Sequence, residues 1–231
     1  MELILLGTGT SQGVPLLGHP NDGLDLSEPK NWRNRSCAHL VCDGAHIQID
    51  AGPEFRLACM KFGVPAVDYF FLTHGHSDHI LGMDDLRRFC DLRDGKAIPV
   101  WTTPEGKARI EAIYPYGIRP QSSQGYIALL PELASAEMTL PCGTRVQTTI
   151  LPHGPRFVSL GMVFTEKNPE PESHTTQIVA TFPPKRLRLQ KTRTCLSSTL
   201  CTARRIPRIL ILKKRSPWRK QLARKKRFSR T

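Results

Sequence analysis

The feature that most constrains this chain is His74-x-His76-x-Asp78-His79, three imidazoles and a carboxylate within six positions, directly after the mostly apolar run 67–72. Such a mostly apolar and aromatic run predicts a buried strand. The residues after it place Ile80, Met83, Leu86, Phe89 and Cys90 on one helical face. The cluster therefore sits in the turn between a strand's C-terminal end and a helix. A lone histidine there would more often be a satisfied core residue. Four ligand-type side chains together have no economical structural role, because desolvating them unpaired is costly.

Two imidazoles two residues apart in a turn converge on one ion, and Asp78 with His79 faces a second. Zinc suits this nitrogen and carboxylate set, and manganese or iron can also use it. His153 ends another apolar strand, in Pro152-His153-Gly154-Pro155. It is the natural third nitrogen for the first ion, since three protein ligands plus water form the usual catalytic arrangement. Two such ions would lower the pKa of a shared water and orient a phosphoryl or acyl group toward it. Water is then the nucleophile, and Asp78 takes the catalytic part of helping to hold it. Asp50, before Ala51-Gly52, fits two roles equally: bracing a ligand histidine from behind, or capping the helix that begins near Glu54. Gly7-Thr8-Gly9-Thr10-Ser11-x-Gly13 lacks a P-loop lysine and reads as a turn bringing backbone close under the metal centre. Asn31, Arg33, Asn34 and Arg35 form a basic loop facing solvent or an anionic substrate.

Elsewhere, 3–6 predicts a strand, and 39–41 and 47–49 a hairpin around Asp43-Gly44. A helix is expected over 54–62, closed by Gly63, and another from Thr102-x-x-Glu105 to about Tyr114, with Pro104 in its first turn. Strands follow at 98–101, 126–130, 146–151, 159–164 and 177–182, while 119–144 is otherwise irregular. Strands, hairpin and intervening helices together define an α/β layer fold.

Charge divides the chain. Residues 1–164 carry 14 Lys+Arg against 17 Asp+Glu, and residues 165–231 carry 19 against 3. The overall charge of +13 thus belongs to one end of the chain. Seven cysteines form no C-x-x-C pair and no even framework, so reduced core thiols are expected. The opening residues are too short for a targeting segment, and no apolar run approaches ~20 residues. A soluble cytoplasmic protein without a membrane partner is the expectation.

Four stretches resemble the metallo-β-lactamase superfamily, in particular its cyclic-phosphate phosphodiesterase branch. They are 5–15, 31–36, Ile49-Asp50-Ala51-Gly52-Pro53-Glu54-Phe55-Arg56, and 71–87 with the histidine cluster. The resemblance implies an αββα sandwich with a dinuclear zinc or manganese site hydrolysing phosphodiesters, often small or cyclic ones. It assigns His74, His76 and His153 to one metal, Asp78 and His79 to the other, and Asp50 to the motif aspartate beside them. Family members continue into a strand ending in a bridging aspartate, and later a final ligand histidine. This chain has no aspartate after Asp94 and only His174 after His153, and its 19–32 loop lacks the cysteines of a structural zinc site.

The sandwich is therefore expected to be incomplete in its second half, with a metallo-β-lactamase-like domain at 1–165. Residues 166–231 read as a basic, disordered or frame-shifted segment. Loss of the second half would leave apolar sheet and an open edge exposed, with one ion or none bound and activity weak or absent. The leading functional expectation is a metal-dependent phosphodiesterase acting on a small phosphodiester. The alternatives are a tRNA 3′-end-processing-like nuclease and a basic nucleic-acid binder with a relic metal site, whose binding would fall steeply with salt. A homodimer is a further candidate assembly. A thioesterase or β-lactam-type activity would rest on fold alone.

Overall fold

The computed structural model describes residues 1–21, 23–119, 125–129, 137–155 and 157–167, and the backbone of two further strands at Gln177–Thr181 and Cys195–Ser197. Apart from Glu166, Lys167 and those two strands, the basic segment 166–231, His174 included, lies outside the described residues.

Alternating apolar residues build the first sheet. Its strands are β1 (Glu2–Gly7), β2 (Cys37–Cys42), β3 (Ala45–Ile49), β4 (Tyr69–Phe71), β5 (Ile98–Trp101) and β6 (Ile127–Leu129), hydrogen-bonded in that order. β1, β2 and β3 are antiparallel neighbours, and β3 through β6 run parallel. The β2–β3 hairpin turns at Asp43 and Gly44, both at positive φ, which is the backbone a two-residue hairpin turn requires.

The second sheet is antiparallel from β7 (Glu137–Thr139) through β8 (Arg145–Pro152) and β9 (Val158–Thr165) to β10 (Gln177–Thr181). β11 (Cys195–Ser197) lies parallel to β10. β7 falls in a stretch whose sequence shows no strand period.

Each strand of the first sheet sends successive side chains to opposite faces, and two cores result. Phe70, Leu72, Ile98 and Val100 meet Phe55, Ala58, Ile80, Leu86 and Ile110 of the helical layer. Leu40, Ile47, Ile49 and Phe71 meet Val146, Leu160, Met162 and Phe164 of the second sheet. The order is thus helices, sheet, sheet. Among the described residues no helix covers the outer face of the second sheet. That face is not the apolar surface expected of an incomplete sandwich along β8, where Arg145, Gln147 and Thr149 point outward and are exposed.

The helices are α1 (Phe55–Phe62), α2 (Ser77–Ile80), α3 (Leu86–Asp91) and α4 (Pro104–Ile113). α4 is capped one residue later than the capping-box pattern predicts, by Thr103, whose hydroxyl accepts the Gly106 N–H at 3.1 Å. The single helix expected after His79 is broken into α2, a 3-10 turn at Met83–Asp85 and α3. Ala51 is the reason: its N–H donates to the His79 carbonyl at 2.7 Å, and its carbonyl accepts the Gly82 N–H at 2.8 Å. Main-chain groups that would continue the helix are spent on the 50–52 turn. A Cβ at Gly82 would lie 2.2 Å from the Gly52 carbonyl oxygen, and one at Gly52 would lie 2.4 Å from that of Asp78. Only glycine allows the two turns to touch. Five cysteines are free among the described residues, four of them buried. No described helix is long and apolar enough to cross a membrane.

Candidate metal centre

The site forms where strand ends of both sheets meet. β4 delivers Thr73 to Asp78 at its C-terminal end, and β8 delivers His153. The Leu160 N–H of β9 donates to the Thr73 carbonyl at 2.8 Å, which ties the second sheet to the histidine turn. The His153 N–H donates to the Phe157 carbonyl at 2.8 Å and closes the β8–β9 loop. The rings then cluster, with centroids 4.6 Å apart for His74 and His76, 4.2 Å for His74 and His153, and 4.2 Å for His74 and His79.

One nitrogen each of His74, His76 and His153 lies within 4.8 Å of the other two. Zinc–nitrogen bonds of about 2.0–2.1 Å at tetrahedral angles hold ligand nitrogens about 3.3 Å apart. His74 Nε2 and His76 Nδ1 stand 3.1 Å apart, so these residues fit a divalent cation. His79 Nε2 lies 3.1 Å from Asp78 Oδ2, a second donor pair beside the first. The structure thus brings together all five residues that the sequence singles out as ligands.

Asp50 lies behind them, fully buried, in the left-handed region at φ 59°. Its Oδ1 accepts the Thr73 N–H at 2.8 Å, and its Oδ2 accepts the Thr73 hydroxyl at 2.8 Å and His79 Nδ1 at 2.6 Å. The carboxylate is therefore not a helix cap. The residue at the cap position of α1 is Glu54, which makes no side-chain capping bond. An ionised carboxylate only accepts, so the Thr73 proton points at Asp50. His74 Nδ1, 3.0 Å from the Thr73 oxygen, must then donate to it, leaving the His74 Nε2 lone pair facing the other histidines. Burial and the neighbouring imidazoles push His74 down to about 2, so it stays neutral, as a ligand must. Burial resists charge on His79 as well, but Asp50 and Asp78 overcome it and hold His79 at about 10. Burial likewise opposes ionisation of Asp78, and the His79 hydrogen bond outweighs it and keeps Asp78 below its ordinary value.

Two residues of this site escape the sequence reading. Thr73 relays Asp50 to His74, and its signal is adjacency to the first histidine. Phe157 sets its ring 4.7 Å from that of His76, a contact only the folded β8–β9 loop reveals. The glycine-rich turn makes its close approach to residues 33–35, where Gly9 donates to the Asn34 carbonyl at 2.7 Å. The basic loop is largely committed to the protein. Arg35 pairs with Glu54 and donates to the Ser11 carbonyl at 3.0 Å, and Asn31 donates to the Asp25 carbonyl at 2.8 Å.

A family profile described as a β-lactamase superfamily domain matches residues 46–177. The chain belongs to the metallo-β-lactamase superfamily. A crystal structure described as a new diphosphatase from the PhnP family superposes with a TM-score of 0.62 at 27% identity, covering 71% of this chain and 62% of that one. Ribonuclease Z of Pseudomonas putida (strain GB-1) is 28% identical over 191 residues, 78% of this chain and 51% of that protein. A protein of Porphyromonas gingivalis named octanoyltransferase is 40% identical over 95 residues, 41% of this chain and 19% of that protein. The chain thus spans about half of the ribonuclease Z and about a fifth of the octanoyltransferase.

Proposed function

We propose that the site is a divalent-metal centre for hydrolysing phosphodiesters, with His74, His76 and His153 holding one ion. The observation that carries this reading is the convergence of those three nitrogens within 4.8 Å, beside a carboxylate. A bound zinc or manganese ion would lower the pKa of water and polarise a phosphoryl oxygen. The chain's own groups do the rest. Thr73 and Asp50 fix the His74 tautomer, and Asp50 holds the ring of His79 through Nδ1. Asp78, ionised and next to His79, accepts a hydrogen bond from the attacking water and orients it. Phe157 offers an apolar ledge beside His76 against which a leaving group can rest.

The second ion has fewer protein ligands here. Asp78 supplies one, His79 a second only once its ring gives up the proton that Asp50 and Asp78 stabilise there, and no aspartate follows Asp94 in this sequence to bridge the pair. On this reading the chain binds one ion tightly and turns over slowly. The PhnP-family neighbour, described as a diphosphatase, supports a phosphoryl substrate. The ribonuclease Z relatives support a second reading, an RNA 3′ end, which the basic charge of 165–231 would also attract.

The test is metal content per purified chain alongside hydrolysis of bis(p-nitrophenyl) phosphate. One ion per chain and slow turnover, both lost in His76→Ala, are expected. Absence of a bound ion, or turnover that survives His76→Ala, would overturn the reading. A tRNA precursor cleaved faster than the small diester, with a steep salt dependence, would favour the second substrate class.

A further inference from the structure

The helix-facing side of β2 and β3 carries polar residues where apolar ones would be expected. His39 and Gln48 are fully buried, and His46 is partly buried at the end of the same row. Their hydrogen bonds run in one direction. Gln48 Nε2 lies 2.7 Å from the Asp50 carbonyl oxygen. A carbonyl only accepts, so the amide must present its NH2 there and its oxygen to His39. His39 Nδ1, 3.1 Å from that oxygen, must carry a proton. His39 Nε2 is then the lone-pair nitrogen and accepts from His46 Nδ1 at 3.0 Å. Burial holds His39 down at about 4, which keeps it in this neutral form.

We infer that His39 and Gln48 are positioning residues of the metal centre, holding the main chain of Asp50 so that its carboxylate meets Thr73 and His79. Asp50 is where β3 ends. Its N–H donates to the Phe71 carbonyl at 3.0 Å, but among the described residues its own carbonyl receives no main-chain donor. That oxygen is held by Gln48 and by the Cys37 thiol at 3.2 Å. The peptide plane after Asp50 is thus held on its carbonyl side by side chains of β2 and β3, and on its other side by the Ala51 N–H that donates to the His79 carbonyl. Rotating it would carry Asp50 out of its left-handed conformation and turn the carboxylate away from His79. The chain of donors, His46 to His39 to Gln48 to Asp50, passes its orientation through the Asp50 side chain to both His74 and His79. This inference rests on the metal-centre reading, and it assigns a role to residues that touch neither metal nor substrate.

The test compares cobalt(II) affinity, the cobalt d–d absorption spectrum and melting temperature across four full-length variants. Gln48→Leu removes the donor to Asp50, and His39→Phe removes the donor to Gln48. His39→Asn keeps an N–H for Gln48, and Leu40→Ala weakens the opposite face of the same strand. Gln48→Leu and His39→Phe are expected to lose about tenfold or more in cobalt affinity, the scale seen when groups behind a ligand are removed, with an altered spectrum. His39→Asn and Leu40→Ala are expected to retain the parent affinity and spectrum. If affinity simply tracks melting temperature across the set, Leu40→Ala included, or Gln48→Leu binds like the parent, the positioning role is overturned. If Gln48→Leu does not fold, the His39→Phe and His39→Asn pair decides. Should the parent chain take no cobalt, the metal-centre reading fails separately. Imidazole 15N spectra then decide the inference: a His74 signal with Nδ1 protonated that is lost in Gln48→Leu supports it, and one that is unchanged overturns it.

Discussion

Two carboxylates in this molecule each accept three hydrogen bonds, and they differ in almost everything else. Asp50 is fully buried and bonds Thr73 and His79. Asp84 is 40% exposed. It accepts the hydroxyls of Tyr116 at 3.0 Å and Tyr126 at 2.6 Å, and Arg87 at 2.6 Å. Burial opposes ionisation at Asp84, and the two tyrosines and Arg87 outweigh it and hold the carboxyl below its ordinary value. Water can replace a lost donor at Asp84 but not at Asp50. The number of hydrogen bonds is therefore a poor guide to what each residue is worth, and burial is a better one.

The largest test of this contrast is Asp50→Ala. It leaves His79 buried with one of its two carboxylate partners, and removing one member of a buried pair costs about 3–5 kcal/mol. Urea unfolding should show that loss, together with release of bound metal. A loss no greater than that of Asp84→Asn would break the comparison.

A smaller effect comes from acid. His39 has its pKa lowered from 6.5 to about 4, so between those values the unfolded chain binds a proton that the folded chain does not. Stability should fall as pH drops from 6.5 to about 4, by up to about 3 kcal/mol from this residue, with no further loss from it below that range. Unfolding midpoints of the parent and His39→Gln measured across that window should converge toward acid pH, because the variant lacks the titrating ring. Parallel curves would show that His39 contributes nothing to the acid sensitivity.

Gly82 packs against the turn that follows Asp50, and Gly82→Ala would drive a Cβ into the Gly52 carbonyl. Overpacking of this kind costs about 1–3 kcal/mol. Because the contact locks the 50–52 turn to the end of α2, metal affinity should fall with it. A stability loss that left affinity unchanged would show the turn's registry to be unimportant to the site. The smallest change is Asp84→Asn, expected to cost about 1 kcal/mol or less in thermal unfolding and to leave metal content untouched. A larger loss, or a loss of metal, would mean that the tyrosine cluster supports the site after all.

Much of the architecture was legible in the chain. The hairpin at Asp43-Gly44, the helix closed at Gly63, and the strands of β8 and β9 follow from turn chemistry and alternation, which are local properties. What was not legible is equally specific. The helix after His79 looked continuous because its apolar period is unbroken, but Ala51, far away in sequence, takes its main-chain bonds. β7 pairs with β8 without any period of its own, since a strand can be set by its neighbour.

The same division holds at the site. Residue chemistry and spacing alone named His74, His76, Asp78, His79 and His153, because imidazoles and a carboxylate crowded at strand ends are costly to desolvate unless they share a cation. The sequence left Asp50 balanced between a helix cap and a brace, and gave Thr73, His39, Gln48 and Phe157 no role. Only the tertiary structure links Asp50, Thr73, His39 and Gln48 through hydrogen bonds and sets Phe157 beside His76, because a hydrogen bond's direction depends on which acceptor-only group lies at its far end. For Asp50 those partners come from three separate strands and turns.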